Sequence, residues 1–89
     1  MNIEELYEQF AAQNGTVEFA GRAFALINRA ELTATYCIDG HEYISEYSAT
    51  AMGDDGYEYI VIWRFDVIKG QEPDSSDLNW NSVYNVIAA

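Results

Sequence analysis

The chain holds one cysteine and one histidine, Cys37 and His41, and they stand close together. A thiol beside an imidazole is a nucleophile beside its base, and that chemistry needs the two within hydrogen-bond reach. Between them lies Asp39-Gly40, flanked by runs that alternate apolar and polar residues. A two-residue Asp-Gly loop in that setting predicts a type I′ hairpin. Ile38 then pairs with His41, Cys37 with Glu42, Tyr36 with Tyr43, Ala34 with Ser45 and Leu32 with Tyr47. This register puts Cys37 and His41 on opposite faces, so Cys37 reads as a small apolar filler and not as a nucleophile. One Cys and one His are too few for a zinc centre without unusual carboxylate help. Asp54-Asp55, between Gly53 and Gly56, lacks the spaced oxygens and final bidentate Glu of a calcium loop, and reads as a solvated turn. No carboxylate spacing selects an acid–base pair. Glycine-rich phosphate loops, serine elbows and basic patches are absent. The expectation is a protein that is not an enzyme and carries no cofactor or metal.

What remains is the acid. Fifteen Asp and Glu face four Lys and Arg, a formal net charge of −11 over 89 residues. Such a chain repels nucleic acid and anionic membranes and favours a basic partner. The plain alternative is that the charge only keeps the protein soluble. Glu18, Glu31, Asp39, Glu42, Glu46, Asp54, Asp55, Glu58 and Asp66 are scattered over predicted strands and turns, with Arg22, Arg29 and Arg64 nearby. Carboxylates fixed on a rigid sheet can present themselves to a basic groove as a row of phosphates, because arginine reads both groups with the same two-pronged fork. Charge complementarity also speeds encounter.

These residues need a scaffold. Tyr57–Ile68 is the longest apolar run, rich in aromatic and β-branched residues, and reads as a central strand covered on both sides for much of its length. Tyr57, Tyr59, Val61, Trp63, Phe65 and Val67 share one face; Glu58, Ile60, Ile62, Arg64, Asp66 and Ile68 share the other. A buried helix is the rival, but the flanking glycines bound a strand. Residues 2–13 follow helical spacing through Ile3, Leu6, Tyr7, Phe10 and Ala11. Asn2 caps the start with Glu5 as in a capping box, and Gly15 stops the helix. Glu4, Glu5 and Glu8 there suit the helix dipole and need no other role. Thr16–Ala20 and Ala23–Asn28 form a short hairpin around Gly21-Arg22. Glu31–Ile38 is the strand that enters the Asp39-Gly40 turn. Across Gly53–Gly56 a plain register puts Tyr57 and Tyr59 on the Glu42 face, and a bulge reverses this. Trp80, Val83, Tyr84, Ile87 and Ala88 fit a last helix capped by Ser75 or Ser76. Asn, Val and Tyr weaken that helix, and a terminal strand is the alternative.

The chain resembles a family of small acidic phage anti-CRISPR proteins that bind the single-chain CRISPR nuclease. The resemblance runs through Met1-Asn2-Ile3, Leu6, Thr16-Val17 and Gly21, then Asp39-Gly40-His41-Glu42-Tyr43 and Ser45-Glu46, over the first half of the chain. It implies an N-terminal helix on a short antiparallel sheet, and an acidic hairpin tip that plugs the groove reading the protospacer-adjacent DNA. Asp39, Gly40 and Glu42 carry over; His41 replaces a polar amide.

The expected fold is a single α+β domain spanning 1–89: an N-terminal helix packed on a mostly antiparallel sheet of four or five strands, with a C-terminal helix. The expected partner-binding residues are Asp39, Gly40, Glu42, Glu46, Asp54, Asp55 and Glu58. The partner is a basic nucleic-acid-binding protein, first of all a CRISPR effector nuclease or surveillance complex, with no direct nucleic acid or membrane binding. An immunity protein or antitoxin against a basic toxin nuclease is the alternative. So is a subunit of a protein complex, with Tyr57, Tyr59 and Trp63 at the interface or buried in a homodimer. A single cysteine and an opening without a signal-peptide pattern fit the cytoplasm, that of the bacterial host if the gene is a phage's.

Overall fold

The computed structural model describes residues 2–89, without the side chain of Ser75. Met1, the first residue of the resemblance, lies outside the described residues. One helix, α1 (Ile3–Asn14), precedes six strands: β1 (Thr16–Phe19), β2 (Arg22–Leu26), β3 (Glu31–Cys37), β4 (Glu42–Gly53), β5 (Glu58–Ile68) and β6 (Asn85–Ala88). The fold is α+β, and the six strands make one sheet whose neighbours are all antiparallel, in the order β1-β2-β4-β5-β6, with β3 also paired to β4.

Asn2 starts the helix as its residue type dictates: Oδ1 accepts the Glu5 N–H at 2.8 Å. Gly15 ends it at φ +86°, its N–H donating to the Ala11 carbonyl. Helix α1 touches β2 and β4. The register-paired Ala25 and Met52 are both buried, at 0% and 6% exposed, and belong to the sheet face opposite the main core.

That core occupies the other face. Val17, Phe24, Ala49, Ala51, Val61 and Trp63 are its buried members. Trp63 is fully buried because residues 69–84 return across this face as a strap. Trp80 meets Trp63, Phe65 and Tyr47 edge-on, with ring centroids 5.2–5.3 Å apart. The Trp63 indole N–H donates to the Trp80 carbonyl at 2.8 Å, so this large side chain is buried with its one donor satisfied.

The expected C-terminal helix is not formed. A single 3-10 turn, Ser75–Asp77, sits in the strap, and the chain ends as β6 against β5. Trp80 and Val83 recur at helical spacing because both pack on the core, one within an irregular strap and one just before a strand. With β6 added, the sheet has six strands, not the expected four or five.

Strand β5 carries the expected face, Tyr59 through Val67, into the core, but it is covered on one side only. On its other face Ile60 and Ile62 are half-buried, and Arg64, Asp66 and Ile68 are exposed. The turn before β5 resolves the register left open in the sequence: Tyr59 opposes Ala51 and Glu58 opposes Met52, so Tyr59 lies away from the Glu42 face.

The Asp39-Gly40 hairpin exists but is not type I′. Cys37 opposes Tyr43 and Tyr36 opposes Ile44, one residue off the expected register. Asp39 Oδ1 accepts from the N–H groups of His41 and Glu42, at 2.6 and 2.9 Å, and the Glu42 carbonyl accepts from Ile38 and Asp39. A side-chain oxygen thus shapes a wider loop, and Gly40 has no positive φ. A bulge between Leu32 and Ala34 restores the expected Leu32–Tyr47 pair, while the Thr33 hydroxyl donates to the Glu46 carbonyl at 3.3 Å. The paired positive φ values of a type I′ turn appear instead at Ala20 and Gly21, 53° and 77°, between Phe19 and Arg22, so the first hairpin turns at Ala20-Gly21 and not at the expected Gly21-Arg22.

Candidate functional site

The seven residues singled out in the sequence fall at three places along β4. Asp39, Gly40 and Glu42 are exposed at one end, and Asp54, Asp55 and Glu58 at the other. Twelve residues of strand separate these ends, about 36 Å at roughly 3.3 Å per residue. Glu46 lies between them.

The turn after β4 is built around Arg22. Its Nη2 lies 3.2 Å from Asp54 Oδ1 and 3.0 Å from Asp55 Oδ2. Its guanidinium sits over the rings of Phe24 and Tyr59, each 5.3 Å away. Asp55 also accepts the Tyr59 hydroxyl at 2.6 Å and the Tyr57 N–H at 3.0 Å. The Tyr59 hydrogen bond, followed by the Tyr57 N–H and Arg22, holds the Asp55 carboxyl below its ordinary value of 3.8. Arg22 in turn is held firmly charged by Tyr59 and the two aspartates. Two carboxylates share one cation here, so the turn presents less negative charge than its sequence implies.

Glu46 is committed inside the protein. Its Oε1 lies 2.8 Å from Arg64 Nε, and its side chain is 15% exposed. Tyr36 donates to its other oxygen at 3.4 Å. The Arg64 guanidinium lies over Tyr84 at 4.3 Å and Tyr36 at 5.1 Å. The hydrogen bond to Glu46 leads the effects that raise the Arg64 pKa. This network stands on the sheet face that the strap leaves open, with Tyr36, Tyr84, Ile68 and Ile87 exposed around it.

The sequence reading missed an acidic grouping at the α1 end. A groove of about 340 Å³ is lined by Ile3, Glu4, Tyr7, Glu8 and Asp54. Burial pushes the Tyr7 hydroxyl up in pKa, and the charges of Asp54 and Glu18 push it further. Glu4, Glu8, Glu18 and Asp54 therefore surround one tyrosine. Glu4 and Glu8 share a helix face by their spacing, which was the available signal; Glu18 and Asp54 are brought in only by the fold.

Cys37 is exposed rather than a filler, and opposes Tyr43. Among the described residues no three His, Cys, Asp or Glu side chains assemble as a metal-binding set, and no helix is long and apolar enough to cross a membrane. The interface expected at Tyr57, Tyr59 and Trp63 is not a surface: Trp63 lies beneath Trp80, Tyr59 packs edge-on against Phe24, and only Tyr57 is exposed, at 71%. Compared with protein-family models, curated proteins and solved structures, the chain finds no match.

Proposed function

We propose that this chain is a non-enzymatic inhibitor that occupies the nucleic-acid groove of a basic protein, its carboxylates standing where phosphates would lie. The target class that the resemblance points to is a CRISPR effector. The chain would then be a phage protein acting in the bacterial cytoplasm. One observation carries the reading. A net charge of −11 is spread over a narrow body of 50 × 23 × 20 Å, and of the fifteen carboxylates only Glu46, Asp54 and Asp55 form ion pairs among the described residues.

That is about one net charge per 4.5 Å of length. Nucleic acid carries one phosphate per about 3.4 Å of single strand and about 1.7 Å of duplex. The field resembles that of one strand, so the fitting groove is one that follows a single backbone. Outward-facing carboxylates at both ends of β4 serve this role: Asp39 and Glu42 at the Gly40 tip, Glu58 at the far end, and Glu4, Glu8 and Glu18 in the group around Tyr7 and Asp54. Asp54 and Asp55 contribute less because Arg22 offsets them, and Glu46 supports the sheet.

The test is competition. Binding to a single-chain CRISPR nuclease should be lost when target DNA occupies the groove and should weaken with salt, while the chain alone shifts no DNA. Equal binding to the DNA-loaded and empty nuclease contradicts groove occupancy. A basic toxin nuclease assayed in parallel separates the antitoxin alternative, which uses the same electrostatics. The open sheet face around Tyr36, Arg64 and Tyr84 supports a second reading, a subunit interface. Light scattering at tens of micromolar, about the range of weak self-association, tests its homodimer form: a dimer mass supports it and a monomer mass removes it.

A further inference from the structure

Beside the strap, a cavity of about 350 Å³ is walled by Leu26 and the half-buried Trp80, with Trp63 behind them, and rimmed by Asn14, Asn28 and Arg29. Its volume is at the small end of ligand sites and suits one aromatic ring with a polar head. The rim is oriented. Asn28 Oδ1 accepts the Thr50 N–H at 2.9 Å, which leaves the Asn28 NH2 as a donor. Asn14 Nδ2 donates to the Ile27 carbonyl at 3.1 Å, which leaves its oxygen as an acceptor. Arg22 and Arg64 are both held by carboxylates, but Arg29, in this strongly acidic chain, makes no ion pair among the described residues. A cation and an amide donor beside an amide acceptor match a carboxylate with an N–H group next to it, above an aromatic wall that favours edge-on or offset rings.

We infer that this cavity binds an N-acylated aromatic amino acid, either as a free small molecule or as the C-terminal residue of a peptide. The site is distinct from the acidic surface, and its test does not depend on any nuclease.

The chain's only two tryptophans both line the cavity, so their emission reports occupancy. The probe is N-acetylphenylalanine, which has no indole of its own. It should change the emission saturably, and its carboxamide, which lacks the charge, should bind roughly ten- to a hundredfold more weakly. Arg29→Gln should abolish that preference and Arg29→Lys should restore part of it, with the melting temperature unchanged because Arg29 is exposed. The tripeptide Gly-Gly-Phe distinguishes the sources: equal or tighter binding than the acetyl compound marks a peptide end, and weaker binding marks a free acid. The inference is overturned if emission shows no saturable change up to about 10 mM. It is also overturned if acid and carboxamide bind equally, or if Arg29→Gln binds like the parent.

Discussion

The two turns that close β4 carry the same residue types and use them in opposite ways. At Gly53–Gly56 the aspartates are spent on Arg22, Tyr57 and Tyr59, and a glycine holds the backbone conformation. At residues 38–42 an aspartate holds the backbone, the glycine is free of its neighbours, and Glu42 faces solvent. A carboxylate's role here depends on which donors the fold brings to it. Asp39 spends one oxygen on two N–H groups of its own loop. Asp55 spends both, one of them on an arginine 33 residues away. Counting acids in the sequence treats the two turns alike; counting their donors divides them.

The largest effect that tests this contrast is on the glycines. Gly56 has φ +84°, and a Cβ there would come within 2.7 Å of Ile3 Cδ1. Gly56→Ala should cost on the order of 1–3 kcal/mol, a fall in melting temperature of roughly 4–8 °C per kcal/mol for a domain of this size. Gly40 has nothing within 4 Å and no positive φ, so Gly40→Ala should stay within about 0.5 kcal/mol. Thermal denaturation decides, and the reverse order would reinstate the type I′ hairpin.

A smaller effect depends on pH. The folded-state pKa of Asp55 lies below its ordinary 3.8. Its contribution to stability is therefore fully present above that value and is lost as pH falls through the lower folded-state value. Asp55→Asn should flatten the loss of stability on acidification in this window, whereas Glu42→Gln should leave the neutral-pH melting temperature unchanged. Denaturation curves from pH 5 down to about 2 measure both, and an unchanged acid slope in Asp55→Asn would show that the turn does not use the charge.

The smallest effect is at the tip. Asp39→Ala removes the oxygen that two N–H groups share and should cost about 0.5–1.5 kcal/mol. Asp39→Asn keeps the oxygen and should cost less. Faster amide exchange of His41 and Glu42 in the alanine variant only would locate the effect. Equal exchange in both variants would assign the loop's shape to something other than this side chain.

Much of the scaffold was legible. The cap at Asn2, the stop at Gly15 and the alternation through Tyr59–Val67 are local signals, and the chain obeys them. The C-terminal segment misleads because Trp80, Val83 and Ile87 are spaced as on a helix, whereas Trp80 and Val83 pack on the core from irregular chain and Ile87 stays exposed in β6. Its asparagines and β-branched residues favoured the non-helical alternative. The slip in the β3–β4 register follows from a loop that an aspartate side chain widens, and it is cancelled at a bulge that Thr33 accommodates; neither is visible as periodicity. In the candidate site, the acids themselves were legible, but their partners were not. Arg22 lies more than thirty residues from Asp54 and Asp55 in sequence, and Arg64 lies 18 from Glu46. Such pairings follow from sheet order and hairpin registers that the sequence leaves open.

On the proposed function, unpaired carboxylates rather than ion-paired ones carry binding to a basic nucleic-acid groove. The most direct measurement is a titration against a single-chain CRISPR nuclease at two salt concentrations. One variant, Asp39→Asn, Glu42→Gln, Glu58→Gln, removes unpaired charge; the other, Glu46→Gln with Arg64→Gln, removes a paired charge together with its partner. The first should bind more weakly, by about 2–5 kcal/mol for each carboxylate that meets a buried basic group and less at a rim, and should depend less on salt. The second should bind like the parent. If the first binds like the parent with the same salt dependence, the carboxylates do not stand in for phosphates and the claim fails.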